Sequence, residues 1–137
     1  MSYFLRFKYN KKGRGYLTLW CVDTIVAEIE ARTGSINKTG ALVNTINPGE
    51  WYIKESPVDT INNAMIWESE GWYAALYTPD GDRTSYGIHP DGGFVKGNGT
   101  KGCIGTQGDA LIFRDSIRKI LNDFGQKEIV LHIQKGD

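Results

Sequence analysis

One stretch of the chain places a thiol and an imidazole close together among glycines: Tyr86-Gly87-Ile88-His89-Pro90-Asp91-Gly92-Gly93, then Phe94 to Gly99, then Thr100-Lys101-Gly102-Cys103-Ile104-Gly105-Thr106. Thiol chemistry needs a thiolate. A nearby imidazole can take the proton and, once positive, lower the thiol pKa. His89 is the histidine close in sequence to Cys103, which makes the pair a candidate base and nucleophile. A chain turning at Gly102 can aim backbone N–H groups at the oxyanion formed when sulfur attacks a carbonyl. The glycine density fits tight turns or close approach to a ligand, and the polar and aromatic residues among them point to a shaped loop rather than a linker. By residue type alone, a Cys and a His in such a loop fit either a structural loop or a catalytic pair, because short motifs match by chance.

The other candidates carry less. Cys21 follows Leu17 and Leu19 at alternating positions, the pattern of a small apolar residue on the inner face of a strand, and two cysteines are arithmetically compatible with one disulfide. His132, between Leu131 and Ile133, reads as an edge or surface histidine. Asp80-Gly81-Asp82 lacks the further oxygen ligands of a calcium loop and reads as a hairpin turn. A zinc site from His89, Asp91, Cys103 and His132 has no close pair of soft ligands to anchor it, so no metal and no cofactor is expected. Trp51, Tyr52, Trp67, Trp72 and Tyr73 are candidates to line a groove or to fill the core. Arg83, Lys96 and Lys101 are candidates to meet carboxylates or simply to be solvated.

The elements that must position these residues are mainly strands. Tyr3, Leu5, Phe7 and Tyr9 alternate with Phe4, Arg6 and Lys8, up to a turn at Lys11-Lys12-Gly13-Arg14-Gly15. Leu17, Leu19 and Cys21 make a second apolar row. Val22-Asp23-Thr24 turns the chain, and Ala27, Ile29 and Ala31 then alternate with Glu28, Glu30 and Arg32, a hairpin with a charged outer face. Asn47-Pro48-Gly49 precedes Trp51-Tyr52-Ile53, and Trp72 to Tyr77 is a further strand closed by Pro79-Asp80-Gly81. Ala110, Phe113, Ile117, Ile120, Leu121 and Phe124 recur at helical steps, which predicts a helix over 109–124 with Asp109 as N-cap and Gly125 as its stop. Lys127 to Gln134 returns as a strand.

Ile88-His89 followed by Thr100-Lys101-Gly102-Cys103 resembles the catalytic core of the L,D-transpeptidase family, in which an Ile-His-Gly-like element precedes Ser/Thr-x-Gly-Cys. Asn47-Pro48-Gly49-Glu50-Trp51-Tyr52-Ile53 is similar to that family's Pro-x-Gly-x-Tyr segment, and a helix and final strand after the cysteine complete the order. The chain departs from the family at Lys101, often His or Arg there, and at Ile104-Gly105-Thr106, where an arginine is common. Its loop from His89 to Thr100 is also shorter. The resemblance implies a mainly β fold, an L,D-transpeptidase-like sandwich or barrel-like sheet with one main helix after the cysteine. It implies Cys103, His89 and Gly102 as catalytic positions, and Tyr86, Thr100 and Lys101 as substrate-facing ones. The activity implied is acyl transfer on peptidoglycan stem tetrapeptides, by L,D-carboxypeptidase action, cross-linking or D-amino-acid exchange. The alternative is a non-catalytic module on the same fold that binds wall peptide or a protein.

Length and charge narrow the rest. A chain of 137 residues, 40% apolar and 12% aromatic, suffices for one core, so residues 1–137 are expected to form a single catalytic domain. Sixteen basic and sixteen acidic residues leave no net charge, which offers nucleic acid no general attraction. No apolar run approaches a membrane span of about 18 residues, and Arg6 and Lys8 interrupt any secretory signal. With a wall substrate, the expected place of action is the periplasm or cell wall after delivery by another system. The resemblance to compact delivered antibacterial toxins implies a secretion-system carrier or an immunity protein as a partner, beside the peptidoglycan stem peptides.

Overall fold

The computed structural model describes residues 2–61, 65–67, 70–91 and 102–136. The alternating sequences become strands, as a two-residue side-chain period requires when one face is buried. In chain order these are β1 (Tyr3–Tyr9), β2 (Arg14–Cys21), β3 (Thr24–Arg32), β4 (Ser35–Ile36), β5 (Leu42–Val43), β6 (Gly49–Ile53), β7 (Val58–Asp59), β8 (Ile66–Trp67), β9 (Glu70–Tyr77), β10 (Arg83–Pro90), β11 (Ile104–Gln107) and β12 (Ile129–Lys135). Strands β10, β11, β3, β2, β1, β12, β6 and β9 neighbour one another in that order, and β9 pairs back to β10. The sheet therefore closes into a mainly β barrel and hides its edges from further pairing. Two pairings are parallel, β1 with β12 and β10 with β11. Strands β7 and β8 extend β9 outside the ring, and β4 and β5 form a separate small hairpin.

The barrel interior holds Leu5, Phe7, Tyr9, Leu17, Leu19, Ile29, Ala31, Ile53, Trp72, Ala74, Leu76, Ile88, Ile104 and Leu131 in one cluster. The first hairpin thus follows its apolar alternation, except at its ends. Cys21 is only half-buried because it is the last residue of β2, beside Tyr3. Arg32, expected on the charged outer face with Glu28 and Glu30, is 8% exposed. The helix runs over Leu111–Asn122, shorter than 109–124 at both ends. Ala110 occupies the N-cap position, and Asp109, one residue further out, still accepts the N–H of Leu111 at 3.1 Å. Gly125 takes a positive φ of 68° and lets Gln126 donate to Ile120 O, so it serves as the expected stop. Phe113, Ile117 and Ile120 join the core. Phe124 does not. It lies beyond the last turn, 54% exposed, stacked on Tyr3.

Candidate functional site

The expected single shaped loop around His89 and Cys103 resolves into strands at both ends: His89 lies within β10, and Cys103 immediately precedes β11. The parallel register sets Ile88 beside Ile104 and His89 beside Gly105. Ile88 and Ile104 are fully buried in the barrel, so by strand alternation His89 and Gly105 occupy the opposite, outward face. Cys103 and Gly87 are each two residues earlier, and Gly87 donates its backbone N–H to the Cys103 sulfur. His89 therefore shares the outward face with Gly105, and Cys103 sits two residues before Gly105, just ahead of β11.

The imidazole is held in one form. Nδ1 lies 2.8 Å from Pro90 O, and a carbonyl can only accept, so Nδ1 carries the proton of the neutral ring and Nε2 is the acceptor. His89 is buried, 5% exposed, and burial lowers its pKa from 6.5 despite opposing effects of the Pro90 carbonyl and the Asp91 charge. Tyr73, on β9, stacks against the His89 ring at 6.2 Å and donates its hydroxyl to Ser85 O. Burial, then the nearby Cys103, push the Tyr73 phenol up to about 12. The Cys103 thiol is also raised above 9.0, by burial first, with Asp91 adding to it and the Gly87 N–H opposing it. Sequence reasoning expected a positive imidazole to lower that thiol. Instead, desolvation dominates both groups, and the resting pair is a neutral thiol and a neutral imidazole.

Glycines make this packing possible. A Cβ at Gly87 would stand 2.4 Å from the Tyr73 ring, and one at Gly105 would stand 2.5–2.7 Å from Asp91 side-chain atoms. Gly102 adopts φ +77°, and a Cβ there would stand 2.4 Å from the Tyr86 ring. Its N–H, expected to be available to an oxyanion, instead donates to Asn44 O at 2.7 Å. Gly102 therefore shapes and tethers the turn before Cys103. Tyr86 meets Trp51 edge-on at 5.9 Å, which brings the aromatic segment of β6 to the same wall. Trp72 is core, fully buried, because it alternates with Tyr73 on β9. Arg83 pairs with Glu55. Thr100, Lys101 and Lys96 lie outside the described residues, as does the side chain of Trp67.

One residue that sequence reasoning did not place here, Arg32, completes the outward row together with Asp91. Arg32 pairs with Gly105 across β3 and β11, and its Nε donates to Asp91 Oδ2 at 3.1 Å. Asp91 was legible only as a near neighbour of His89 in the glycine-rich stretch, as a candidate zinc ligand. Arg32 carried no such signal, because it continued the alternation of exposed Glu28 and Glu30. Cys21 and Cys103 are not joined in a disulfide. His132 is half-exposed, 3.8 Å from Glu50, at the barrel surface. The Asp80-Gly81-Asp82 segment is the β9–β10 turn, with Gly81 at φ +91° and its N–H on Thr78 O. Among the described residues no group of three His, Cys, Asp or Glu side chains is placed to hold a metal ion. No helix is long and apolar enough to cross a membrane, among the same residues.

Comparison with family models, curated proteins and solved structures gives no match for this chain.

Proposed function

We propose that the protein is a cysteine acyltransferase of the L,D-transpeptidase type, acting on peptidoglycan stem tetrapeptides. The observation that carries this reading is the fixed Nδ1–H form of His89, which leaves Nε2 as a base on the same sheet face as Cys103. The order of parts is consistent with that family: the Pro-Gly-aromatic segment on β6, histidine on β10, cysteine before β11, then helix and final strand.

In the proposed reaction, Nε2 takes the Cys103 proton as sulfur attacks the carbonyl joining an L-centre to a D-centre. The tetrahedral intermediate collapses by breaking the C–N bond. The imidazolium gives its proton to the departing D-alanine amine, and a thioester remains. An amine acceptor or water then attacks the thioester, gives a proton to His89, and returns the thiol. An amine yields a cross-link or an exchanged D-amino acid, and water yields net carboxypeptidase action. A neutral resting pair suits this route, because the proton moves only when substrate is in place.

A second reading, a non-catalytic module that binds wall peptide or protein, is favoured by one observation: a half-buried thiol with a raised pKa is also what an inert cysteine has. Mass spectrometry of tetrapeptide muropeptides incubated with the protein decides between them. Loss of terminal D-alanine, or a new cross-link, with a transient thioester on Cys103 is the expected result. Unchanged muropeptides, together with iodoacetamide labelling that is indifferent to His89, would favour the binding module.

A further inference from the structure

We propose that Asp91 and Arg32 are positioning residues for His89: they clamp the Pro90–Asp91 peptide so that its carbonyl holds the imidazole in the Nδ1–H form. The inference concerns the state of His89, and its consequence for catalysis rests on the acyltransferase reading above.

A single peptide unit makes both critical bonds. Its carbonyl, from Pro90, receives Nδ1–H of His89 at 2.8 Å, and its N–H, from Asp91, donates to Thr106 O of β11 at 3.0 Å. The two groups of a trans peptide point in opposite directions, so fixing the N–H fixes the direction of the carbonyl. The Asp91 side chain then crosses Gly105, the position directly beside His89, at a separation that no Cβ would permit. Beyond Gly105 the carboxylate meets Arg32 of β3. The carboxylate is 2% exposed and the guanidinium side chain 9%. Stability alone is a poor reason for such a pair, since buried ion pairs often contribute no more than apolar residues of the same volume. What the pair does geometrically is pin the carboxyl end of β10 to β11 and β3 at the residue after the tautomer-setting carbonyl.

The charge acts in the same direction. The titratable and charged groups around His89 are Tyr73 from β9, Asp91 just past the end of β10, Cys103 from the approach to β11, and Arg32 beyond Gly105 from β3. Asp91 favours a positive His89 and disfavours a negative Cys103. It adds to the burial that holds the proton on sulfur and favours the imidazolium that forms when substrate is attacked. Partners one step removed from a working histidine commonly change its activity 10–100-fold when altered, as an order of magnitude.

The test is nitrogen-15 NMR of the full chain, in which His89 and His132 are the two histidines and a His132→Gln background assigns the signals. Wild-type His89 is expected as the Nδ1–H form above its pKa. Asp91→Asn retains the backbone N–H and the side-chain shape and removes the charge. It should lower the pH at which His89 titrates, lower the pH at which iodoacetamide labelling of Cys103 rises, and reduce acyl transfer roughly tenfold or more. The downward shift of the His89 titration separates loss of the charge from simple loosening, which would relieve burial and move that titration upward. Should Asp91→Asn unfold because Arg32 loses its carboxylate, the double variant Arg32→Gln/Asp91→Asn removes both charges and should show a mixture of His89 tautomers. Folded variants whose His89 tautomer and titration and whose Cys103 labelling profile match wild type would overturn the proposal. A wild-type protein inert on tetrapeptides, but with an Nδ1–H His89 that responds to these substitutions, would sink the substrate reading and leave the clamp standing.

Discussion

Gly87 and Cys103 meet across the mouth of the parallel β10–β11 pair, the glycine N–H directed at the cysteine sulfur. The same glycine lies under the Tyr73 ring and against Ala74 O, at 2.4 and 2.6 Å from where a Cβ would stand. Adding one methyl group there must displace an aromatic ring, a backbone carbonyl, or the strand that carries the sulfur's hydrogen bond. Gly87→Ala should therefore cost about 1–3 kcal/mol of stability, as overpacking does, and should slow Cys103 chemistry in the molecules that remain folded. Urea titration and iodoacetamide kinetics on the same preparation check both.

The nucleophile is the sharpest prediction. Cys103→Ala should abolish tetrapeptide turnover and leave the thermal transition within a few degrees of wild type, because a half-buried side chain beside a turn contributes little packing. Cys21→Ala should keep full turnover. Retained turnover by the Cys103→Ala protein, read by muropeptide mass spectrometry, would falsify the proposed mechanism.

The two desolvated groups bracket the pH range. Because folding lowers the His89 pKa, an unfolded chain binds a proton there below 6.5 that the folded chain does not, so stability falls as pH drops from about 6.5 toward the folded value. Because folding raises the Cys103 pKa, the unfolded chain releases its proton first, and stability falls again as pH rises above 9.0 toward the folded value. Turnover should persist to lower pH than an ordinary histidine allows, since burial lowers the His89 pKa. Tyr73→Ala exposes the imidazole and should move the acidic limb of the rate profile upward, toward the ordinary histidine value. Chemical denaturation and rates across the pH range would show both limbs. An acidic limb unmoved in Tyr73→Ala would remove that ring from the cause.

Much of the fold was legible because its strands alternate cleanly: Leu5, Phe7 and Tyr9, or Leu17 and Leu19, can bury one side only in a sheet. The barrel's closure was not, since the β11–β3, β1–β12 and β6–β9 pairings join segments far apart in the chain that no local pattern encodes. In the site, the Cys103–His89 pair was visible as residue types at close spacing. The direction of their pKa shifts was hidden, because it depends on burial by Tyr73 and neighbouring strands rather than on the pair itself. Gly102 was singled out correctly as a turn. Its N–H could not be assigned without knowing that Asn44, far back in the chain, presents its carbonyl there. Arg32 was concealed most completely, since only the fold reveals that the last outward residue of β3 faces Gly105 and Asp91 rather than water.

Gly102 offers a test of how the turn before Cys103 is built. At φ +77° an alanine is strained, and its Cβ would also strike the Tyr86 ring. Gly102→Ala should cut turnover sharply. Tyr86→Ala in that background removes the steric part and leaves the backbone part, so a double-mutant cycle should show partial rescue. Complete rescue would mean the positive φ is immaterial, and no rescue would mean the ring contact is.

The final prediction concerns where the activity is felt, and it follows from the proposed substrate. Stem tetrapeptides of the mature wall lie outside the cytoplasmic membrane, so the enzyme must reach that side to act on them. Expression of this chain in the cytoplasm of a Gram-negative host should be tolerated. Fused to an export signal, it should alter cell shape or cause lysis, with tetrapeptides depleted or newly cross-linked in the recovered wall. The exported Cys103→Ala protein should be harmless at equal abundance, because the damage requires the thioester rather than mere binding. Equal toxicity of the cytoplasmic and exported forms, or toxicity that survives loss of Cys103, would place the target elsewhere and transfer support to the binding-module reading.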